Sequence, residues 1–308
     1  MFNDNRRLIA GAVIWLVVLI GLRPSLMEPL WAVILLLLAA LLLVPLALLL
    51  IESTDIAKMV TFLQFPAAVS LTAAFLLPDG WPASLLALPW LAVTAVLALA
   101  GLRRLQKRGL KPWAALAVDA GLIYLPVGAI WALLARMGVR PLGFSDDIVM
   151  LTAVHFHYAG FLLPVLCGLA AERKAGRTAT AAVLGVVIGV PLTAVGITLS
   201  QVGVGAGIET GSAWITAAAG LLTAGLYVRL AADARYKTAG RVLWTVTAVS
   251  LTTGMFLAAL YGSRQLLPLE WLTIPWMRAL HGTVNSLGFA LSALLAWKIQ
   301  QSTANPKN

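Results

Sequence analysis

All three histidines of the chain lie in apolar stretches long enough to cross a bilayer. His155 and His157 belong to the stretch LTAVHFHYAGFLL, and His281 belongs to RALHGTVNSLGF. Imidazole binds Zn, Cu, Fe and haem, and it exchanges protons near neutral pH. Ionisable side chains inside a membrane segment are costly, and they mark functional sites. These histidines are therefore the first candidates for a metal site, a haem site or a proton relay.

Helical spacing groups other polar residues with the histidines. Residues three or four apart lie on one face of a helix, so Tyr158 shares a face with His155. By the same rule, Arg278 and Asn285 share a face with His281. We expect the tyrosine and the asparagine to act in acid–base chemistry or to support the metal ligands. The arginine would bind the charged part of a cofactor, such as a haem propionate.

The spacing of His155 and His157 limits what they can do together. Two residues that are two apart on a regular helix point about 200° away from each other. They cannot ligate one ion in that geometry. Either a π-bulge or unwound turn near Gly160 and Pro164 brings them together, or each histidine serves a different partner on opposite helix faces.

Asp119 is a further candidate, in the segment LAVDAGLIYLP. It lies about one and a half turns inside an apolar run, and an ionisable residue at such a depth is a functional candidate. We expect a role in catalysis or in proton transfer. The alternative is an ion pair with a nearby basic side chain.

Composition sets the class of protein. Hydrophobic residues make up 61% of the chain, charged residues make up 11%, and the mean hydropathy is +0.93. A soluble protein of this length needs more polar surface than that. We expect an all-α, polytopic transmembrane helix bundle that forms one integral membrane domain over residues 1–308.

Ten apolar runs have the length that crosses a hydrocarbon core of about 30 Å. The first run lacks a small-residue cleavage pattern, so we expect it to remain as a helix. The predicted transmembrane helices cover residues 8–22, 30–50, 57–77, 81–101, 113–135, 148–171, 178–200, 210–230, 241–261 and 275–298.

The distribution of basic residues predicts the orientation. Most of the 22 Lys and Arg residues fall in every second connection, which places both termini in the cytoplasm. In that orientation, His155 and His281 lie roughly 10 Å below the outer boundary. The net charge of +10 is then explained by topology and by attraction to anionic lipid headgroups. We expect no nucleic-acid partner.

Two segments resemble a known family. PLGFSDDIVMLTAVHFHYAGFLLPVL and MRALHGTVNSLGFALSALLAW resemble the YndJ-like family of bacterial integral membrane proteins, and the likeness covers roughly the second half of the chain. The resemblance implies a multi-pass protein of the bacterial plasma membrane. It implies no particular activity.

A second likeness concerns the HFHY motif. It resembles the helix of haem-copper oxidase subunits on which two histidines bind two haems, one on each face. A terminal oxidase is excluded because this chain has one further histidine only and lacks the copper-binding elements. A single haem b held by His281 and by His155 or His157 stays open.

Three classes of function follow from these residues. In the first, His155, His157 and His281 bind a metal ion or haem near the outer face. In the second, the protein is a transporter or a lipid-handling protein that uses the histidines and Asp119 to bind a substrate or to relay protons. In the third, the histidines only connect helices. The expected partners are the lipid bilayer and a small lipophilic or ionic substrate.

Overall fold

The computed structural model describes residues 2–51, 55–204, 206–267 and 269–304. These residues form ten helices and no strand, which confirms the all-α prediction. The helices, numbered in chain order, are α1 (Phe2–Leu22), α2 (Pro29–Leu48), α3 (Asp55–Leu76), α4 (Trp81–Arg108), α5 (Trp113–Met137), α6 (Asp146–Arg173), α7 (Arg177–Gln201), α8 (Ala206–Ala231), α9 (Thr238–Gly262) and α10 (274–304).

Among the described residues, nine helices are long and apolar enough to cross a membrane. In α3, the described residues include the shorter apolar stretch Phe62–Leu76. The helices begin and end within seven residues of the predicted runs, and several extend beyond them. Those extensions are polar or charged turns, such as the basic end of α4, which hydropathy alone does not include.

The chain divides into two compact units. Unit 1 comprises residues 1–109 and 119–162, and unit 2 comprises residues 110–118 and 163–308. Unit 1 contains His155 and His157, whereas unit 2 contains His281. The single membrane domain that the sequence predicts stays a prediction.

In unit 1, helix α2 is largely buried, and side chains from its neighbours bind its backbone. Trp15 Nε1 donates to the carbonyl of Ile34 over 2.9 Å, and Gln64 Nε2 donates to the carbonyl of Ala40 over 2.7 Å. These bonds satisfy polar groups in a part of the protein where water is scarce. They also fix the positions of α1 and α3 against α2.

Two wide π-helical turns interrupt α2 and α6. They span Ala39–Leu43 and Tyr158–Leu162, and each ends two residues before a proline, Pro45 or Pro164. A proline has no N–H, and its ring collides with the carbonyl four residues earlier in a regular helix. The wider turn moves that carbonyl away. In both helices the π turn thus contains the carbonyl that would collide with the proline ring.

Unit 2 is held together by close helix contacts at glycines. A Cβ atom added at Gly185 would lie 2.7 Å from the Cβ of Ala219, and one at Gly189 would lie 2.6 Å from the hydroxyl of Thr216. Small residues that allow such an approach between membrane helices drive their packing. Helices α7 and α8 therefore pack closely along their length. Helix α10 contains two further π-helical segments, Arg278–Gly282 and Val284–Leu291.

Candidate functional site

His157 is completely buried in unit 1, and both of its ring nitrogens have partners. Nδ1 lies 2.8 Å from the carbonyl oxygen of Ala153, to which it donates. Nε2 lies 2.9 Å from Nε1 of Trp90, which donates to it. A neutral imidazole has one donor and one acceptor, so these two bonds satisfy the ring. A metal ion would have to displace the tryptophan.

The same histidine also contacts α5 through Gly128. A Cβ atom at this position would lie 2.6 Å from Nδ1 of His157, so a larger residue would push the ring away. Trp90 lies in α4 and is completely buried. His157 therefore connects α6 to α4 and α5, as a residue that packs unit 1 would do.

His155 lies on the other side of α6 and is exposed. Its Nδ1 donates to the carbonyl of Leu151 in the preceding turn, over 2.9 Å. The wide turn of α6 begins at Tyr158, after both histidines. It therefore does not bring them together, and they face different surroundings, as their spacing predicts.

Tyr158 belongs to the helix packing of unit 1. Its hydroxyl is buried and donates to the carbonyl of Leu35 in α2, over 2.9 Å. This bond joins α6 to the buried helix of the unit. The acid–base role that we expected for this residue stays a prediction.

Asp119 is fully buried and forms ion pairs with two arginines at the end of α4. Arg104 Nε donates to Oδ1 over 2.7 Å, and Arg108 Nη2 donates to Oδ2. Gly101 permits this approach, because a Cβ atom there would lie 2.9 Å from the backbone oxygen of Asp119. This is the ion pair that the sequence left open as an alternative.

In unit 2, His281 and Asn285 contact each other on α10. His281 Nδ1 donates to the carbonyl of Gly254 in α9 over 2.9 Å. Asn285 Nδ2 donates to the backbone carbonyl of His281 over 2.8 Å. The amide also approaches the ring nitrogen, at 3.3 Å, but that nitrogen already carries the proton given to Gly254. His281 is therefore held in one tautomer and one orientation.

Gly254 makes room for this arrangement. A Cβ atom on Gly254 would lie 2.5 Å from Oδ1 and 2.7 Å from Cγ of Asn285. One helical turn earlier, Ser250 packs against Gly288 of α10 in the same way, since a Cβ atom there would lie 2.7 Å from the serine Cβ. Helices α9 and α10 thus meet across two glycines with polar side chains between them.

Arg278 precedes His281 by three residues on α10. It is 2% exposed, and Asn285 is 9% exposed. Within the described part of the chain, Nε of Arg278 and Oδ1 of Asn285 are buried and have no hydrogen-bond partner, although Arg278 makes other interactions. Buried polar atoms nearly always have a partner, so such atoms call for an explanation. We call Arg278, His281, Asn285 and the Gly254 carbonyl the Arg278 site.

The described residues do not bring the predicted metal ligands together. No group of three or more His, Cys, Asp or Glu side chains is placed to hold a metal ion in the described ranges. His157 uses both ring nitrogens, and His281 uses Nδ1. The metal or haem site on the three histidines therefore stays a prediction.

Sequence reasoning missed two residues that position the histidines. Trp90 was not singled out, although it lies in the middle of an apolar run, away from the helix ends where membrane tryptophans collect. Gly254 was not singled out either. It follows two threonines in LTTGM, and a glycine next to polar residues in a membrane helix indicates a close helix contact.

The ten helices define the class, a polytopic helical membrane protein. The family model described as "YndJ-like protein" matches residues 34–289. The chain belongs to this family, which confirms the resemblance drawn from the two motif segments.

One relative is the Bacillus subtilis (strain 168) protein named "Uncharacterized membrane protein YndJ". It is 31% identical over 218 residues, which are 70% of this chain and 38% of that protein. The match thus spans well under half of the relative's length. It agrees with the predicted multi-pass location in a bacterial membrane. No solved structure matches the chain.

Proposed function

We propose that the protein binds a ligand with a phosphate or carboxylate group at the Arg278 site, as part of transport or lipid handling. The observation that carries this proposal is the burial of Arg278, which is 2% exposed in a membrane-spanning helix. A guanidinium group in such surroundings is costly, so its presence indicates a function.

An arginine suits an anionic ligand better than other residues would. Its planar group offers several donors whose geometry matches the two oxygens of a carboxylate or phosphate. Arg278 already makes other interactions within the protein, and an anionic ligand would add to them.

Asn285 and His281 would orient the ligand. Oδ1 of Asn285 is a buried acceptor without a partner in the described structure, and it can accept a hydroxyl from a protonated phosphate or from a ligand alcohol. His281 donates through Nδ1 to Gly254, which fixes the direction of its Nε2. The two side chains would therefore recognise the polar atoms beside the anionic group.

His157 and Asp119 of unit 1 are weaker candidates for a ligand site. His157 is satisfied by Trp90 and Ala153, and Asp119 is neutralised by two arginines. Their contacts are those of side chains that hold helices together. Metal or haem binding would require His157 to exchange its partner.

Thermal unfolding of the purified protein in a neutral detergent tests the proposal. We expect octyl phosphate to stabilise the wild type, by about 2.7 kcal/mol at a concentration one hundred times its Kd. The variant Arg278→Gln should lose this stabilisation. Arg229→Gln is the matched control, because Arg229 is an exposed arginine of the same unit, and it should keep the effect.

Two further variants separate binding from folding. Arg278→Lys keeps the charge but loses the forked geometry, so it should bind more weakly than the wild type. Asn285→Ala should fold and lose the stabilisation by octyl phosphate. Equal stabilisation of the wild type and Arg278→Gln, with both folded by circular dichroism, would contradict the proposal.

A further inference from the structure

We infer that unit 1 contains a binding site of its own, a cavity between α1, α2 and α3 that takes the headgroup of an anionic phospholipid with a free hydroxyl group. The residues that line this cavity all belong to unit 1, and none of them belongs to the Arg278 site.

The cavity has a buried floor with one polar side chain. Its volume is about 20 Å³, which is enough for one water-sized group. Leu8, Leu41 and Gln64 line it, and all three are buried. Gln64 is 2% exposed, so its amide is the polar group at the bottom of an otherwise apolar floor.

The amide of Gln64 is held in one orientation. Nε2 donates to the carbonyl of Ala40 over 2.7 Å, and only the NH₂ end of an amide can make that bond. Oε1, at the other end, has no hydrogen-bond partner among the described residues. An amide oxygen in apolar surroundings is costly without a donor. The cavity therefore suits a hydrogen-bond donor of about the size of a hydroxyl group.

A neighbouring charge selects the kind of donor. Arg7 lines the same cavity and is half-buried. It already makes interactions in the protein, including one in which its Cζ lies 4.9 Å from the centre of the Phe62 ring, so it brings its charge to the cavity. That charge repels an ammonium donor, and an anionic oxygen has no proton to give to Gln64. A neutral hydroxyl group fits both side chains, and a phosphate next to it would be attracted by the arginine.

The mouth of the cavity suits a lipid. It is formed by Pro45 and Phe65, which are half-buried, and by Leu49, which is exposed. Arg7 lies near the start of α1, and Leu49 directly follows α2, so the mouth lies at one end of these helices. Headgroups lie at the ends of membrane helices, where basic residues attract the anionic ones. A phospholipid would place its hydroxyl group at Gln64, its phosphate near Arg7 and its hydrocarbon along the apolar mouth.

Two lipids of equal charge test the role of the hydroxyl group. Phosphatidylglycerol carries a free alcohol in its headgroup, whereas phosphatidylmethanol carries the same phosphodiester charge and no alcohol. The apparent Kd of each lipid for the full chain in neutral detergent is measured by native mass spectrometry, with phosphatidylcholine as the neutral reference. We expect phosphatidylglycerol to bind about fivefold more tightly than phosphatidylmethanol, as one hydrogen bond to the amide would give.

Four variants connect this preference to the cavity. Gln64→Met keeps the size of the side chain and removes the amide, so it should abolish the preference for phosphatidylglycerol. Leu49→Trp fills the mouth, leaves every hydrogen bond of the site in place, and should weaken phosphatidylglycerol binding about tenfold. Leu22→Trp is its matched control, because Leu22 is an exposed leucine at the other end of α1, and it should change nothing. Arg7→Gln should weaken both anionic lipids and keep the preference between them.

The outcomes separate a lipid site from a water site. Equal binding of the two anionic lipids to the wild type would overturn the inference and leave the cavity to water. A preference that survives both Gln64→Met and Leu49→Trp would overturn it as well, and so would an Arg7→Gln variant that binds both lipids as the wild type does. A preference that is lost in Gln64→Met and Leu49→Trp and kept in Leu22→Trp would support it. None of these results depends on octyl phosphate binding at the Arg278 site.

Discussion

Replacing Gly254 with alanine should disturb the Arg278 site and lower the free energy of unfolding. The new Cβ would lie 2.5 Å from Oδ1 and 2.7 Å from Cγ of Asn285, whereas carbon contacts are normally about 3.5–4.0 Å. Asn285 must turn away, and its hydrogen bond to the carbonyl of His281 is then lost.

The change in the free energy of unfolding follows from three effects. Overpacking costs about 1–3 kcal/mol, and the lost hydrogen bond costs about 1 kcal/mol. Alanine has a higher helix propensity than glycine, which stabilises the helix by about 1 kcal/mol. We therefore expect Gly254→Ala to lower the free energy of unfolding by about 2 kcal/mol, and to abolish the stabilisation by octyl phosphate.

The assay is unfolding in neutral detergent, followed by tryptophan fluorescence with and without octyl phosphate. Gly225→Ala is the matched control, because this glycine lies in α8 of the same unit and a Cβ there would meet nothing within 4 Å. It should be neutral or slightly stabilising. The double variant Gly254→Ala/Asn285→Ala should recover most of the stability without recovering ligand binding, since the colliding side chain is gone.

The reasoning fails if Gly254→Ala is as stable as Gly225→Ala and still responds to octyl phosphate. That result would mean that α9 and α10 do not meet at this glycine. A loss of stability that the double variant does not relieve would mean that the cost arises from contacts other than the one with Asn285.

Three further predictions concern other contacts. Asp119→Asn should lower the free energy of unfolding by about 3 kcal/mol, because two arginines lose their carboxylate; chemical unfolding measures it. Trp90→Phe should lower the free energy of unfolding by about 1–3 kcal/mol, since Nε2 of the buried His157 loses its hydrogen-bond donor. Chemical unfolding measures this loss as well. Hydrogen bonds from Arg235 and Lys174 hold the pKa of the Asp233 carboxyl well below its usual value. The wild type should therefore lose stability as pH falls below about 4, and Asp233→Asn should not show that loss in melting temperature against pH.

The number and limits of the helices were predictable because they depend on local properties. Long apolar runs bounded by charged or turn residues fix where a membrane helix begins and ends. Prolines disturb a regular helix, and π-helical turns precede both Pro45 and Pro164. The two π segments of α10 contain no proline, so no sequence signal indicated them.

The candidate site was predictable only in part. The spacing of Arg278, His281 and Asn285 placed them on one helix face, and the structure shows His281 and Asn285 in contact. Their partners are distant in the chain: Trp90 lies 67 residues before His157, and Gly254 lies 27 residues before His281. Such pairings depend on which helices pack together, and a single sequence does not contain that information.

The pairing of Asp119 with the end of α4 also bears on the order of events during synthesis. Arg104 and Arg108 precede their carboxylate in the chain, so the nascent α4 carries an uncompensated cluster of positive charge while it enters the bilayer. That charge favours retention of this helix end on the cytoplasmic side. Once α5 has folded against α4, Asp119 cancels part of it. In the predicted orientation, we expect the same arginines to act first as a topological signal and then to hold α4 and α5 together through their ion pairs with Asp119.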